Sequence, residues 1–281
     1  MKVYVVNMDN RPDRWKHIVS QLTALGIEYT RVSAVDGKSL NVEEQKLFDK
    51  RRFVLEQKKP SVLGEIGCAM SHRNIWKDIV RNEIKYALVL EDDVNLENII
   101  VDFLSNKSNF EKFDLLNISS NQPYSLQGID KIKLDSHNEA VRPNKWKRKK
   151  RKQWKKMEWR RRWRIFSIKK VCEGFYTCEC DPAPALTSGY IISNHGAIHL
   201  LNTSESMFYP IDLTWRYSGG KLIEGFLSQP LVIQSLDDTD IHGRYKGYKL
   251  NLREKILRAI FKSRRIKRRW DILKMYGFTK L

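Results

Sequence analysis

The chain reads Tyr86-Ala-Leu-Val-Leu-Glu-Asp-Asp-Val94, an apolar run that ends in three consecutive acids. The length and apolarity of its first five residues are typical of a strand buried on both faces, as in a largely parallel sheet. Glu91, Asp92 and Asp93 then follow at the carboxyl end of that strand, where open α/β sheets bind their ligands. This stretch therefore predicts both a central strand and a ligand site.

The three acids predict a metal site. Alternation of side chains along an extended segment sends Glu91 and Asp93 to one side and Asp92 to the other. Two carboxylates on one side suit Mg²⁺ or Mn²⁺, whose remaining positions substrate phosphates commonly fill. An acidic turn that merely follows a core strand is the alternative.

Strand and helix patterns alternate along the chain. Apolar residues recur at helical spacing in two long segments, and Pro12 and Gly26 mark the two ends of the first. The predicted strands cover residues 2–7, 28–35, 86–90, 113–119 and 188–193, and the predicted helices cover 11–25, 64–81 and a segment ending at 201. This order predicts an α/β protein with Rossmann-type layers.

Composition bounds the protein class. A chain of 281 residues can form one large domain. No signal-peptide pattern opens it and no stretch reaches 18 uncharged apolar residues, which favours a cytosolic protein. The four cysteines are therefore expected to be free thiols. A zinc site at Cys172, Cys178 and Cys180 is the weaker alternative, because their spacing lacks a paired C-x-x-C arrangement.

The net charge of +19 is concentrated in two segments. Residues 142–170 hold 16 Lys or Arg and one acid, and residues 253–270 hold nine and one acid, so the rest of the chain is close to neutral. We therefore predict a main domain over residues 1–250 with a basic insert at about 138–170. Residues 251–281 are predicted to be a basic amphipathic region.

Both basic segments contain apolar residues at helical spacing. The insert carries Trp159, Trp163 and Phe166, and the C-terminal region carries two further stripes, Leu252, Ile256 and Ile260, then Ile266, Trp270 and Leu273. Basic amphipathic helices with aromatic anchors suit an anionic membrane surface. Nucleic-acid binding and a solvated charge run are the alternatives.

Several ordered motifs resemble glycosyltransferase family 25, which includes bacterial lipooligosaccharide galactosyltransferases and collagen galactosyltransferase domains. The most specific pair is GEIGCAMSHRNIWKDIV followed by YALVLEDDV, which agrees with the family in sequence and separation. The other matching segments are VYVVNMDNRPDR, AVDG, TSGYIISNHGAIHLL, YPIDLTW and QPLVIQSLDDTDI. The basic insert has no counterpart in this pattern.

The resemblance implies a GT-A-like fold, a UDP-sugar donor, most often UDP-galactose, and transfer with inversion to a sugar hydroxyl. Mn²⁺ or Mg²⁺ held by Glu91 and Asp93 would stabilise the leaving diphosphate as a Lewis acid. His242 is a further candidate ligand. The residues predicted to bind the nucleotide sugar are Asn7, Arg11, Arg14, Asp36, Glu65, His72, Asp92, Gly189 and Tyr190.

Simpler structural roles compete with several of these assignments. Arg11 and Arg14 suit phosphates at a helix N-terminus but also suit a plain surface. Asp36, which with Asn7 is placed to bond the uracil or ribose, could simply form a turn. His72 could be a structural histidine of its helix.

Inversion by direct displacement needs a base that takes the proton of the acceptor hydroxyl. Asp212, after Tyr209-Pro210-Ile211, is the candidate, with a helix N-cap as its alternative role.

The favoured function is extension of a lipooligosaccharide core at the cytoplasmic face of the inner membrane, by a peripheral membrane enzyme. UDP-glucose or a UDP-N-acetylhexosamine is the alternative donor. A nucleic-acid-binding protein is disfavoured, because the near-neutral main domain and its ordered motifs are not required for that role.

Overall fold

The buried strand predicted from the acidic stretch forms as β3 (Tyr86–Glu91), and seven other strands join it in one sheet. The computed structural model describes residues 1–122, 124, 164–172, 174–218, 220–235, 247–261 and, singly, 268, 270, 271, 274 and 275. The seven are β1 (Lys2–Asn7), β2 (Thr30–Ser33), β5 (Leu115–Asn117), β6 (Arg164–Cys172), β7 (Phe175–Asp181), β8 (Gly189–Ser193) and β9 (Glu224–Leu227). Two further strands, β4 (Val94–Leu96) and β10 (Val232–Gln234), pair with each other.

The helices predicted from apolar spacing also form. Pro12 begins the first of them, and Gly26, with φ of +64°, lies just beyond its end. The described α-helices are α1 (Pro12–Ala24), α2 (Val42–Gln45), α3 (Lys50–Gln57), α4 (Leu63–Arg81), α5 (Ile100–Ser105), α6 (Asn194–Thr203), α7 (Thr214–Tyr217) and α8 (Leu252–Phe261). None of them has the length and apolarity needed to cross a bilayer.

The eight strands follow the order β2-β1-β3-β8-β5-β9-β7-β6. β1 is parallel to both β2 and β3, but β8 is antiparallel to its neighbours β3 and β5. β9 pairs in parallel with β5, whereas β7 is antiparallel to both β9 and β6. The sheet is therefore mixed: its parallel pairs are β2-β1-β3 and β5-β9, and antiparallel pairs join them to the remaining strands. A strand is buried on both faces whenever layers cover both faces of its sheet. The apolar run of β3 therefore did not predict the direction of the neighbouring strands.

Apolar layers cover both faces of this sheet. On one face Trp76 of α4 and Trp215 of α7 pack with Tyr190 of β8. On the other face Ile18 of α1 and Phe103 of α5 pack against alternate residues of the same strands. Each fully buried aliphatic side chain contributes roughly 2 kcal/mol. The edge of the sheet where β3 ends is left to polar side chains.

The predicted basic insert lies mostly outside the described residues, and so do Trp159 and Trp163. Its last part is described, and there the helical stripe is wrong, because Phe166 belongs to β6. β6 pairs with β7, and its Ile165 and Ile168 are buried in the sheet's core layer. The backbone hydrogen bonds that β6 forms with β7 outweighed the helical pattern of its sequence.

One residue beyond α8 is anchored in the main domain. The guanidinium of Arg268 is largely buried and forms ion pairs with Asp181 and Glu224. Its Nη1 also donates to the carbonyl of Trp215 at 2.7 Å. Burial raises the pKa of Glu224 to about 7 although Arg268 opposes the shift. This contact joins the predicted C-terminal region to the sheet. The boundary predicted at residue 250 stays a prediction.

Arg268→Met is expected to lower the free energy of unfolding by about 3 kcal/mol, because it leaves buried carboxylates without their cation. An acid whose folded pKa is raised destabilises the fold progressively as pH rises from its unfolded value to its folded value. With the pKa of Glu224 already about 7 beside Arg268, the loss should be larger above pH 7 than below it. Urea unfolding on either side of pH 7 measures this, with Arg268→Met/Glu224→Gln as the control that removes the stranded charge. An equal loss at both pH values would contradict the assignment.

Candidate active site

The carboxyl ends of the parallel strands β1 and β3 meet at one edge of the sheet, and polar side chains gather there. Asn7, at the end of β1, donates from Nδ2 to Asp92 Oδ2 at 2.7 Å. Arg14 of α1 places Nη1 3.4 Å from Asp92 Oδ1 and 3.8 Å from Asp93 Oδ2. The fold thus brings Asn7 and Arg14 to two of the three acids, although they are far from them in sequence.

The surroundings of Asp93 disfavour its ionised form. Its Oδ2 accepts from Gln234 Nε2 of β10 at 3.1 Å, whereas its buried Oδ1 has no hydrogen-bond partner among the described residues. Burial, and then the negative charge of Glu91, raise the pKa of Asp93 to about 7. A bound cation would relieve both effects, because it offers the free oxygen a ligand and offsets the repulsion between the two carboxylates.

Glu91 is held by a chain of hydrogen bonds from α4 and β8. Tyr190 Oη accepts from Trp76 Nε1 at 3.0 Å and lies 2.9 Å from His72 Nδ1. Because an ionised carboxylate only accepts, the His72 tautomer that bonds Glu91 carries its proton on Nε2 and accepts at Nδ1 from Tyr190, whose pKa burial raises. The other nitrogen, His72 Nε2, then donates to Glu91 Oε1 at 3.3 Å, and Thr187 Oγ1 donates to the same oxygen at 2.6 Å. We call these four residues, Trp76, Tyr190, His72 and Thr187, the Glu91 support.

Two sets of side chains, which share Glu91, offer atoms that could bind a metal ion. The ligand atoms of Cys68, His72 and Glu91 lie within 4.8 Å of one another, but both ring nitrogens of His72 are already hydrogen-bonded. Glu91 and Asp93 offer the carboxylate oxygens that Mg²⁺ and Mn²⁺ prefer, and the partnerless Asp93 Oδ1 fits such an ion. His242, the third predicted ligand, lies outside the described residues.

Other predicted donor-binding residues are engaged elsewhere. Arg11 forms an ion pair with Asp13, and the carboxylate of Asp36 accepts from the backbone N–H of Lys38, which is the turn role considered above. Glu65 is buried at the start of α4, where Lys59 donates to it at 2.6 Å. The carbonyl of Arg11 also accepts from Asn7 Nδ2 at 3.1 Å, the same nitrogen that donates to Asp92. The roles of Arg11, Asp36 and Glu65 toward a nucleotide stay predictions.

Asp212 lies in a single 3-10 turn, Ile211–Leu213, whose N-cap is Pro210. The N-cap alternative for Asp212 is therefore wrong, since the proline before Ile211 already occupies that position. Arg216, one turn later, is buried, and burial lowers its pKa while the charge of Asp212 opposes that shift. The carboxylate of Asp212 thus has a guanidinium in its electrostatic range. Its role as a base stays a prediction.

Sequence reasoning missed several residues of this edge. Thr187 reaches Glu91 because β8 is antiparallel, so the segment before β8 lies beside the end of β3. Gln234 reaches Asp93 because β10 pairs with β4. Arg31 of β2 donates to Asn7 Oδ1 from Nε at 3.0 Å and from Nη2 at 2.6 Å. Gln234 lies within the QPLVIQSLDDTDI motif, and that motif is the sequence feature that could have identified it.

Gly189 was predicted to bind the nucleotide sugar, and in the structure it lies close against Val232 of β10. A Cβ added at Gly189 would lie 2.7 Å from Val232 Cβ. Gly189→Ala is expected to lower the free energy of unfolding by about 2 kcal/mol through overpacking. Thermal melting of Gly189→Ala with and without Val232→Ala tests this, because shortening the valine should restore part of the loss. Additive losses in the double variant would contradict the steric explanation.

Fold and site together define a mixed α/β protein whose ligand edge carries a carboxylate cluster suited to a divalent cation. Residues 1–215 match the family described as Glycosyltransferase family 25 (LPS biosynthesis protein). The chain therefore belongs to glycosyltransferase family 25, as its motifs indicated. Membership in this family implies a sugar-nucleotide donor and a glycan acceptor.

Curated relatives are similar over a shorter stretch. A Glycosyltransferase 25 family member of Drosophila melanogaster is 34% identical over 125 residues, which cover 41% of this chain and 20% of the relative. Procollagen galactosyltransferase 2 of Homo sapiens is 34% identical over 101 residues, covering 34% of this chain and 16% of the relative. The chain thus matches a fifth or less of the length of these relatives.

Proposed function

We propose that this protein transfers a hexose, galactose from UDP-galactose, with inversion onto a sugar hydroxyl. The observation that carries the proposal is Asp93, whose buried Oδ1 has no partner among the described residues and whose pKa burial and Glu91 raise to about 7. Family membership over residues 1–215 supports glycosyl transfer, and the galactosyltransferase names of two relatives support galactose. A GT-A-like arrangement of the mixed sheet is part of the proposal.

Mn²⁺ or Mg²⁺ between Glu91 and Asp93 would stabilise the charge that develops on the leaving diphosphate. The chain's own residues prepare that position. The Glu91 support orients one carboxylate, while Gln234 and Arg14 orient the other. Arg14, at 3.4 Å from Asp92 and 3.8 Å from Asp93, would also supply a cation to the phosphates of the donor.

Asp212 is proposed to take the proton from the acceptor hydroxyl. The turn that carries it is tied to the donor side, since the ring of Trp215, three residues on, lies 6.5 Å from that of Tyr190. Arg216 lies in the electrostatic range of Asp212, and a base must be ionised to accept the proton. We further propose a lipooligosaccharide core as the acceptor, which the family description as an LPS biosynthesis protein favours.

Release of UDP from a panel of UDP-sugars tests the donor and the metal together. The assay contains UDP-galactose, UDP-glucose or a UDP-N-acetylhexosamine, a lactosyl or glucosyl acceptor, and either Mn²⁺ or EDTA. We expect acceptor-dependent UDP release with UDP-galactose and Mn²⁺, and little release with EDTA. Turnover with UDP-glucose alone would correct the donor. No turnover with any donor, together with no rise in melting temperature on adding UDP and Mn²⁺, would overturn the proposed function.

A further inference from the structure

A basic cleft lies where α3 ends and α8 begins, and none of its lining residues is assigned to catalysis. It has a volume of about 500 Å³. It is lined by Lys58, Tyr248, Lys249, Leu250, Lys255 and Arg258. Four of these six residues are cations, and none of the four forms an ion pair with a described carboxylate. The cleft is thus an unsatisfied concentration of positive charge suited to phosphate oxygens.

Glu254, which contacts the cleft residue Tyr248, is engaged in hydrogen bonds of its own. Glu254 accepts from Tyr248 Oη at 2.9 Å and from the backbone N–H of Asn251 at 2.8 Å. Asn251 in turn accepts from the backbone N–H of Glu254, so the pair caps the N-terminus of α8. Arg258 has a buried Nε with no hydrogen-bond partner among the described residues.

The helix beside the cleft turns its apolar row outward. Leu252, Ile256 and Ile260 are 73%, 56% and 62% exposed, although they occupy positions i, i+4 and i+8 of α8. Such a row normally faces a protein core. We call these three residues the apolar ridge. Lys255 and Arg253 lie on either side of it around the helix, at 100° per residue.

Two residues fix α8 to the main domain, and one of them is the cleft residue Arg258. Arg258 Nη2 donates to the carbonyl of Glu56 at 3.3 Å, and the ring of Phe261 lies 4.7 Å from the guanidinium carbon of Arg52. The segment before α8 is held as well, because the backbone N–H of Tyr248 donates to the carbonyl of Lys58 at 2.7 Å. The outward direction of the ridge is therefore set by these contacts.

We propose that the basic cleft and the apolar ridge together dock the protein on an anionic phospholipid surface. The cleft receives lipid phosphates while the ridge enters the interface between head groups and acyl chains. Charge complementarity carries this assignment, because cations flank an exposed apolar row that one helix presents on one side. Each cation near such a surface adds on the order of 1 kcal/mol, and the ridge adds apolar burial. The docking site is independent of the transfer reaction.

Vesicle flotation of the full chain tests the proposal, with phosphatidylcholine alone or in an equal mixture with phosphatidylglycerol. The cleft variant is Lys249→Glu/Lys255→Glu, and the ridge variant is Ile256→Ser/Ile260→Ser. The matched control, Lys16→Glu/Lys107→Glu, makes the same charge change at exposed lysines of other elements. Melting temperatures of all variants show whether each one folds.

We expect the wild type to bind the mixed vesicles and not the neutral ones. The cleft and ridge variants should each bind at least about tenfold more weakly, and the control should lose no more than about threefold. Equal losses in the cleft and control variants would overturn the proposal in favour of diffuse charge. Undiminished binding by the ridge variant would also overturn it, as would saturable binding of inorganic phosphate without vesicle binding. UDP-dependent thermal stabilisation should be unchanged in both docking variants, which separates this result from the proposed transferase activity.

Discussion

Asp93→Asn is expected to lower kcat about a thousandfold, because a metal acting as a Lewis acid supplies several kcal/mol to the departing diphosphate. The amide keeps the shape of the side chain and removes its charge. The variant should also lose the additional thermal stabilisation that Mn²⁺ gives in the presence of UDP. Both losses follow from one cause, the missing carboxylate ligand.

The metal-free Asp93→Asn protein should melt at a higher temperature than the wild type near neutral pH. Burial and the charge of Glu91 raise the pKa of Asp93 to about 7, so its ionised form destabilises the metal-free fold. This cost is present in full above pH 7 and fades as pH falls toward the unfolded value of about 3.8, where the two proteins should converge. Asp102→Asn, on the exposed face of α5, is the control. Normal Mn²⁺-dependent turnover by Asp93→Asn would contradict the metal assignment.

Asp212→Asn is expected to lower kcat by about 10² to 10⁴, the range typical of losing a general base. Binding of UDP with Mn²⁺ should be unchanged, because the substitution leaves the acids at the end of β3 intact. Steady-state kinetics and UDP titration measure the two effects separately. The neighbouring Arg216 makes the variant informative, since the substitution removes one of the negative charges near a buried guanidinium.

Asp212→Asn/Arg216→Met distinguishes lost chemistry from lost folding. If the low kcat of the single variant came from the loss of the Asp212 charge near the Arg216 guanidinium, removing Arg216 should restore both melting temperature and turnover. If Asp212 is the base, the double variant should regain stability and stay inactive. Normal turnover by Asp212→Asn would show that the base is a different residue.

Local sequence pattern was sufficient to predict the strand and the helix next to the acidic cluster. The apolar run before Glu91 became β3, and the apolar spacing before Arg81 became α4, because each pattern matches the period of its own element. Adjacent parallel strands placed the end of β1 beside the end of β3. The pairing of Asn7 with Asp92 follows from that geometry.

Pattern failed where distant segments compete. Phe166 was expected on a helix, but pairing with β7 made its segment a strand. The antiparallel direction of β8 was not encoded in its apolar composition, and that direction brings Thr187 to Glu91. Gln234 and Arg268 also reach their partners from far along the chain, and no local period records such a contact.

The sequence by itself determined the central strand, its three terminal acids, the main helices and the family, because these depend on local periodicity and on ordered motifs. Only the tertiary structure decided which oxygen of the acidic cluster lacks a partner and how Glu91 is held. It alone turned the apolar row of α8 outward. Those properties depend on contacts between residues far apart in the chain, since burial and hydrogen-bond partners exist only after the elements have packed.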